Sequence, residues 1–317
     1  MAAFPLGAST REAYGKTLVE LGRENPNIVV LDADLSSSTQ TYAFGKQFPD
    51  RFFNVGLAEQ NMIGIAAGLA ASGKTVFASS FAVFATSRCF DQIRVSIAQA
   101  HVNVKVVASH AGISVGEDGA SHQSIEDLSL MCSLPGFTVV VPADEIETSQ
   151  AIRAAAATPG PFYVRCGRPK VPVVYPPDYN FVLGQAVVMR EGRDVTLVSN
   201  GLLLAAALEA AAALEREGID ARVLSMPTVK PLDQDALVRA ARETGAVVVA
   251  EEHLLHGGLG SAVAQVLGEK HPAPMGFVAL RDTYAESGKP DDLLAKYGLT
   301  AEDIRKAALA TLRRKAT

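Results

Sequence analysis

Asn27-Ile28-Val29-Val30-Leu31 runs straight into Asp32-Ala33-Asp34. An aliphatic, β-branched run that stops at aspartates reads as a strand buried on both faces, as in parallel sheets. The same unit recurs along the chain. Residues 74–78, 102–108, 138–141 and 162–165 read as further strands, and residues 58–72, 86–100, 123–131 and 145–157 as the helices between them. The helix over 58–72 is small and apolar on most faces and is expected to be buried. This alternation predicts parallel strands with crossover helices on both faces of the sheet. In such folds ligands gather beyond the carboxyl ends of the strands. Asp32-Ala33-Asp34 and Ser109-His110-Ala111-Gly112 occupy two such ends.

A break follows at Arg168-Pro169-Lys170-Val171-Pro172 and Tyr175-Pro176-Pro177-Asp178. Prolines at this density oppose helix and central strand, so the stretch reads as a linker. A second alternating block then begins, with strands over 194–199, 219–224, 246–250 and 276–280. Helices over 202–217, 236–242 and 258–267 lie between them. The expected fold is α/β, with two doubly wound domains over 1–185 and 186–317.

Composition narrows the function classes. The chain has 317 residues, 48% of them hydrophobic, and a net charge of −5. That is enough apolar material for two cores, and the charge favours neither nucleic acid nor a membrane surface. Arg313-Arg314-Lys315 reads as a solvated helix end. The three cysteines, Cys89, Cys132 and Cys166, show no CxxC spacing, which suits a reducing cytoplasm. Residues 1–10 lack the basic and apolar segments of a signal peptide. The alanine-rich run over 202–214 is too short to span a bilayer.

Several residues could carry chemistry. Glu59, in Val55-Gly56-Leu57-Ala58-Glu59-Gln60-Asn61-Met62, falls in the first turn of the apolar helix. It could simply support the helix dipole. Alternatively, desolvation would raise its pKa and let it share a proton with a buried base. Phe81 and Phe84 could be core, or a platform for a planar ring. The glycine-rich loop from Ser109 to His122 holds His110, Glu117, Asp118 and His122. It could be a solvated surface loop or a binding loop, and its spacing matches no familiar zinc pattern. Arg11, Arg165, Arg168 and Ser36-Ser37-Ser38 could meet a phosphate or simply be surface. Gly257-Gly258-Leu259-Gly260 could cradle an anion or pack closely against a neighbour.

Taken together, five stretches resemble one family. They are Ala8-Ser9-Thr10-Arg11-Glu12-Ala13-Tyr14-Gly15, Gly56-Leu57-Ala58-Glu59-Gln60-Asn61-Met62, Phe90-Asp91-Gln92-Ile93-Arg94, the segment from Ser109 to Gly119, and Pro227-Thr228-Val229-Lys230-Pro231-Leu232-Asp233. From about Thr10 onward the chain resembles the pyrimidine-binding and C-terminal domains of transketolase. The resemblance implies thiamine diphosphate as cofactor and transfer of a two-carbon ketol unit from a ketose phosphate to an aldose phosphate, as in the pentose phosphate pathway. It implies that Glu59 bonds the aminopyrimidine ring and that Phe81 and Phe84 stack around it. Asp34 falls on a buried acid near the cofactor, and His122 on a neighbouring position. His110 and Asp118 fall where sugar hydroxyls bind, with His110 able to move protons. Arg11, Ser38 and Arg168 fall on sugar-phosphate contacts, Arg168 matching better than Arg165.

The resemblance has two departures. Some members carry a tyrosine three residues after the second phenylalanine, where this chain has Ser87. The family's Gly-Asp-Gly motif, which holds the diphosphate and Mg2+ (or Ca2+), has no counterpart, since Gly116-Glu117-Asp118-Gly119 falls in the substrate loop. No metal ligand is therefore expected within this chain. The expectation is a split enzyme: an N-terminal subunit supplies the diphosphate half, and the two assemble as a heterotetramer. The alternatives are a β subunit of a 2-oxoacid dehydrogenase, a deoxyxylulose-phosphate synthase fragment, or a non-catalytic pairing subunit.

Overall fold

A computed structural model describes residues 4–315. Residues 1–3 and 316–317, the outer ends of the two expected domains and part of the leader reading, lie outside the described residues. The first domain is built on a seven-stranded sheet. Its spatial order is Thr228–Lys230, Thr138–Val140, Phe162–Arg165, Val104–Ala108, Thr75–Ser79, Ile28–Asp32, Phe52–Asn54. All neighbours run parallel except the first pair.

The opening strand shows how sequence makes this layer. Alternate side chains leave a strand on opposite faces. Val29 and Leu31 enter one core with Met62, Ile63 and Ile97, while Ile28 and Val30 enter the other with Leu18, Phe44 and Ile152. Each such burial contributes about 1.5–3 kcal/mol. Helix Glu59–Ala71 therefore covers one face, and helices Thr10–Glu24 and Glu145–Ala157 the other.

The second domain repeats the design. Its sheet runs Met275–Leu280, Val247–Leu254, Val195–Ser199, Ala221–Ser225, Val187–Arg190, with only the last strand antiparallel. Helices Leu203–Arg216 and Ala301–Lys315 cover one face, helices Gln234–Thr244 and Leu259–Lys270 the other. No helix among the described residues is long and apolar enough to cross a membrane.

The structure departs from the sequence-based expectation in four places. The expected helix over 86–100 is two π-helical stretches, Phe84–Arg88 and Ile93–Gln99, around the short turn Phe90–Gln92. The expected helix over 123–131 starts only at Asp127, because Ser124 O and Ile125 O accept hydrogen bonds from Gly112 N and Leu254 N instead. The proline-rich linker holds the strand Lys170–Pro172, antiparallel to Leu6–Ser9. The C-terminal basic tail does end a helix but is not solvated throughout: Arg314 donates to Met275 O, and Lys315 to Thr244 O and Asp194 O.

One buried acid ties the linker to the first domain. Glu147 is fully buried and accepts from Ala143 N at 2.8 Å and Tyr179 Oη at 3.1 Å. Burial pushes its carboxyl up to about 7. The folded chain thus prefers the protonated form, so this contribution to stability is complete below about pH 4.5 and is lost as pH rises through about 7. Glu147→Gln keeps an oxygen that accepts from Ala143 N and turns its amide N–H toward Tyr179 Oη, which becomes the acceptor, but it cannot ionise. Urea unfolding should find it more stable than wild type at pH 8, by on the order of 2 kcal/mol, with the gap closing at pH 4.5. A gap of the same size at both pH values would contradict this.

Candidate active site

Glu59 opens helix Glu59–Ala71, and only 3% of it is exposed. The preceding Ala58 offers no side-chain cap, so the carboxylate itself meets the positive end of the helix. It is not alone there. Arg88 Nη1 donates to Glu59 Oε1 at 2.9 Å, and the guanidinium lies 4.8 Å from the centre of the Phe84 ring. Sequence spacing gives no hint of Arg88, which lies 29 residues away and at the end of a π-helical stretch that breaks the 3.6-residue register.

The two phenylalanines divide the readings between them. Phe81 is 6% exposed and its ring stacks on His110 at 3.7 Å. Phe84 is half-buried and lies 5.8 Å from Phe81, its ring stacked and nearly parallel at 12°. His122 meets both rings edge-on, at 6.1 and 5.3 Å. Phe84 is thus the accessible aromatic face, and Phe81 its buried support. Ser87, at the position of the missing tyrosine, donates to Glu126 Oε1 at 3.1 Å.

His110 follows the strand Val104–Ala108 with φ at 58°, a region that non-glycine residues rarely occupy and that costs of order 1 kcal/mol or more. Ser109 Oγ sits 2.8 Å from its Nδ1. Burial, then the positive fields of Arg11, Arg168 and His122, push its pKa down to about 3. The imidazole is therefore neutral at ordinary pH. It can bond a hydroxyl, but storing a proton there is disfavoured, which constrains the expected shuttle.

Those same fields describe an array of cations. Arg11 stands in the first turn of helix Thr10–Glu24, whose start is set by a reciprocal Ser9–Glu12 capping box. Its Nη1 donates to Ser38 O at 2.9 Å, and its buried Nε has no partner. Arg168 donates to Val115 O and, at 3.1 Å, to Glu117. Asp118 is exposed on the same loop. Arginines held close together beside a neutral histidine suit an anion.

Three expectations need correction or sharpening. Asp34 is exposed, pairing with Asn54, and the buried acid of that turn is Asp32, held by Thr39, Thr41 and Leu35 N. Arg165 is not available to a ligand, being buried and bonded to Asp127, Ser124 O and Glu252 O. The amides at Gly257-Gly258-Leu259-Gly260 are not free for an anion, because Glu251 accepts from Leu259 N and Gly260 N, both at 2.7 Å. Among the described residues no group of three or more His, Cys, Asp or Glu could hold a metal ion.

Residues 7–173 match the model for "Transketolase, pyrimidine binding domain", and residues 184–304 that for "Transketolase, C-terminal domain". The chain belongs to the transketolase family. It is 44% identical to the "Putative transketolase C-terminal section" of Methanocaldococcus jannaschii, covering 96% of each chain. It is also 44% identical to the "6-deoxy-6-sulfo-D-fructose transketolase subunit SqwH" of a Clostridium species, over 96% of this chain and 95% of that one. A solved structure described as "Split gene transketolase, inactive beta4 tetramer" superposes with a TM-score of 0.92 at 56% identity, covering 98% of this chain and all of the other. Human transketolase is 39% identical, and the match spans 48% of its length.

Within this transketolase fold, the carboxylate and the open face of Phe84 fit an aminopyrimidine: a hydrogen-bonding acid beside an aromatic wall. Arg88 supplies the countercharge to Glu59. Arg88→Ala would leave that carboxylate buried and unpaired. Urea unfolding at pH 8 should then show a loss of about 1 kcal/mol, discounted because Arg88 is itself half exposed. A double-mutant cycle with Glu59→Gln should recover most of it, and a coupling energy of zero would contradict the pairing.

Proposed function

We propose that the chain is the C-terminal subunit of a split, thiamine-diphosphate-dependent transketolase, moving a two-carbon ketol unit from a ketose phosphate to an aldose phosphate. One observation carries the reading: the buried Glu59 carboxylate and the Phe84 face stand on the same rim as the Arg11–Arg168–His110 array. The bound cofactor would supply the carbanion chemistry that amino-acid side chains lack. Glu59 holds the pyrimidine ring and shares a proton with it. Phe84, backed by Phe81, sets the plane of the ring and keeps water from it. His110, neutral and fixed on Phe81, bonds a sugar hydroxyl, and Asp118 a second one. Arg11 and Arg168 take the phosphate, with Ser38 beside them. His122 and Asp34 border the cofactor.

The diphosphate and its Mg2+ or Ca2+ belong to an N-terminal partner subunit, so the working assembly contains two kinds of chain, as a heterotetramer. Its free cysteines suit the cytoplasm. The arginine pair favours a sugar phosphate over the small 2-oxoacid of a dehydrogenase β subunit, which carries no phosphate to clamp. A buried Glu59 with an aromatic face favours catalysis over a non-catalytic pairing role.

The test is reconstitution. Ketol transfer should appear only when the chain is mixed with a chain carrying the family's diphosphate-binding domain, thiamine diphosphate and Mg2+. Glu59→Ala should lower turnover by about 100-fold or more without preventing assembly. Full turnover by the chain alone, or unchanged turnover by Glu59→Ala, would overturn the proposal.

A further inference from the structure

We propose that Glu252, in the second domain, is a positioning residue for the substrate loop of the first; its kinetic consequences rest on the function proposed above. Glu252 lies on strand Val247–Leu254 and is 6% exposed. Its Oε1 accepts from Ser114 N at 2.6 Å, across the domain boundary. The contact is close along its whole length. A Cβ added at Gly112 would fall 2.2–2.4 Å from the Glu252 carboxyl atoms, and Gly112 has φ at +81°. Glycine is needed there both for the turn and for the approach of the acid.

Ser114 is the middle residue of the single 3-10 turn Ile113–Val115. The next carbonyl, Val115 O, accepts from Arg168. The turn is thus gripped from one side by Glu252 and itself anchors Arg168 on the other. Glu252 is in turn fixed by Arg165, which donates to its carbonyl at 2.9 Å while paired with Asp127 at 2.8 Å. The returning arm of the loop is tied to the same domain, with Leu254 N donating to Ile125 O at 2.9 Å and Gln123 Nε2 to Glu286 O at 3.0 Å. His110 has separate supports in Phe81 and Ser109. Loss of Glu252 therefore acts mainly on Arg168 and on phosphate binding. The second domain acts on the reaction through this carboxylate.

Hydrogen–deuterium exchange on the full chain, with steady-state kinetics on the mixture with its partner, tests this. Glu252→Ala should speed exchange over residues 112–118 while leaving strand Val195–Ser199 at the wild-type rate. It should raise KM for the sugar phosphate roughly tenfold, the scale of one hydrogen bond to a charged group, with kcat changed less. Glu252→Gln, whose amide oxygen can still accept from Ser114 N, should stay near wild type in both. If Glu252→Ala fails to fold, Glu252→Asp serves: it keeps the carboxyl group but withdraws the acceptor by one methylene, and the same loop-selective exchange is expected. Unchanged exchange over 112–118, an equal rise in every segment, or Glu252→Gln as impaired as Glu252→Ala would each overturn the proposal. A wild-type mixture without turnover would remove the function proposed above, and the exchange data would then decide alone whether Glu252 anchors the loop.

Discussion

A carboxylate shut away from water must find a partner, and Glu59 is placed where its partner is not covalently determined. Burial in the first turn of an apolar helix makes the free acid costly to leave unpaired. In the single chain the compensation comes from Arg88, a half-exposed side chain that also lies over Phe84. Around that pair the structure arranges an aromatic wall, a neutral histidine and Arg168 beyond the carboxyl ends of parallel strands, with Arg11 from the first turn of helix Thr10–Glu24. The sheet exists to bring them there: Glu59 follows the edge strand, Phe81 and His110 follow adjacent central strands, and Arg168 follows the next one. Residues more than a hundred positions apart reach one rim because parallel strands end on the same side.

The second domain has a different share of the work. Its own helix N-terminus is closed by Glu251, so it presents no anion site at the glycine cluster. What it presents instead is the next residue, Glu252, aimed across the boundary at the loop that carries the polar contacts. Strand Thr228–Lys230 adds to the first domain's sheet from the same direction. Both features make the two domains one supporting body for the rim, not two units joined by a linker.

Sequence reasoning reads local and periodic features, and its successes and failures here follow that line. The strand Ile28–Asp32 was legible because a short aliphatic, β-branched run that stops at aspartates suits a strand buried on both faces. The capping box Ser9-Thr10-Arg11-Glu12 was equally local, and it marks the start of the helix that delivers Arg11, so that helix was within reach of the sequence. Arg88 was not, since its approach to Glu59 depends on a π-helical register that propensity does not encode. Nor was Glu252, whose partner is 138 residues away. Asp32 and Asp34 illustrate the limit most simply. Two acids separated by Ala33 at a strand end look alike in sequence; the strand stops at Asp32, which points inward to Thr39 and Thr41, and the turn after it, with φ of Asp34 at 65°, sets Asp34 outside against Asn54.

The central claim is that this chain holds half of a cofactor site. Isothermal titration of thiamine diphosphate with Mg2+ into the chain, into the diphosphate-binding partner, and into their equimolar mixture measures it directly. The account predicts tight binding only in the mixture, weakened when the mixture contains Glu59→Ala. Binding to the isolated chain as tight as to the mixture would contradict it.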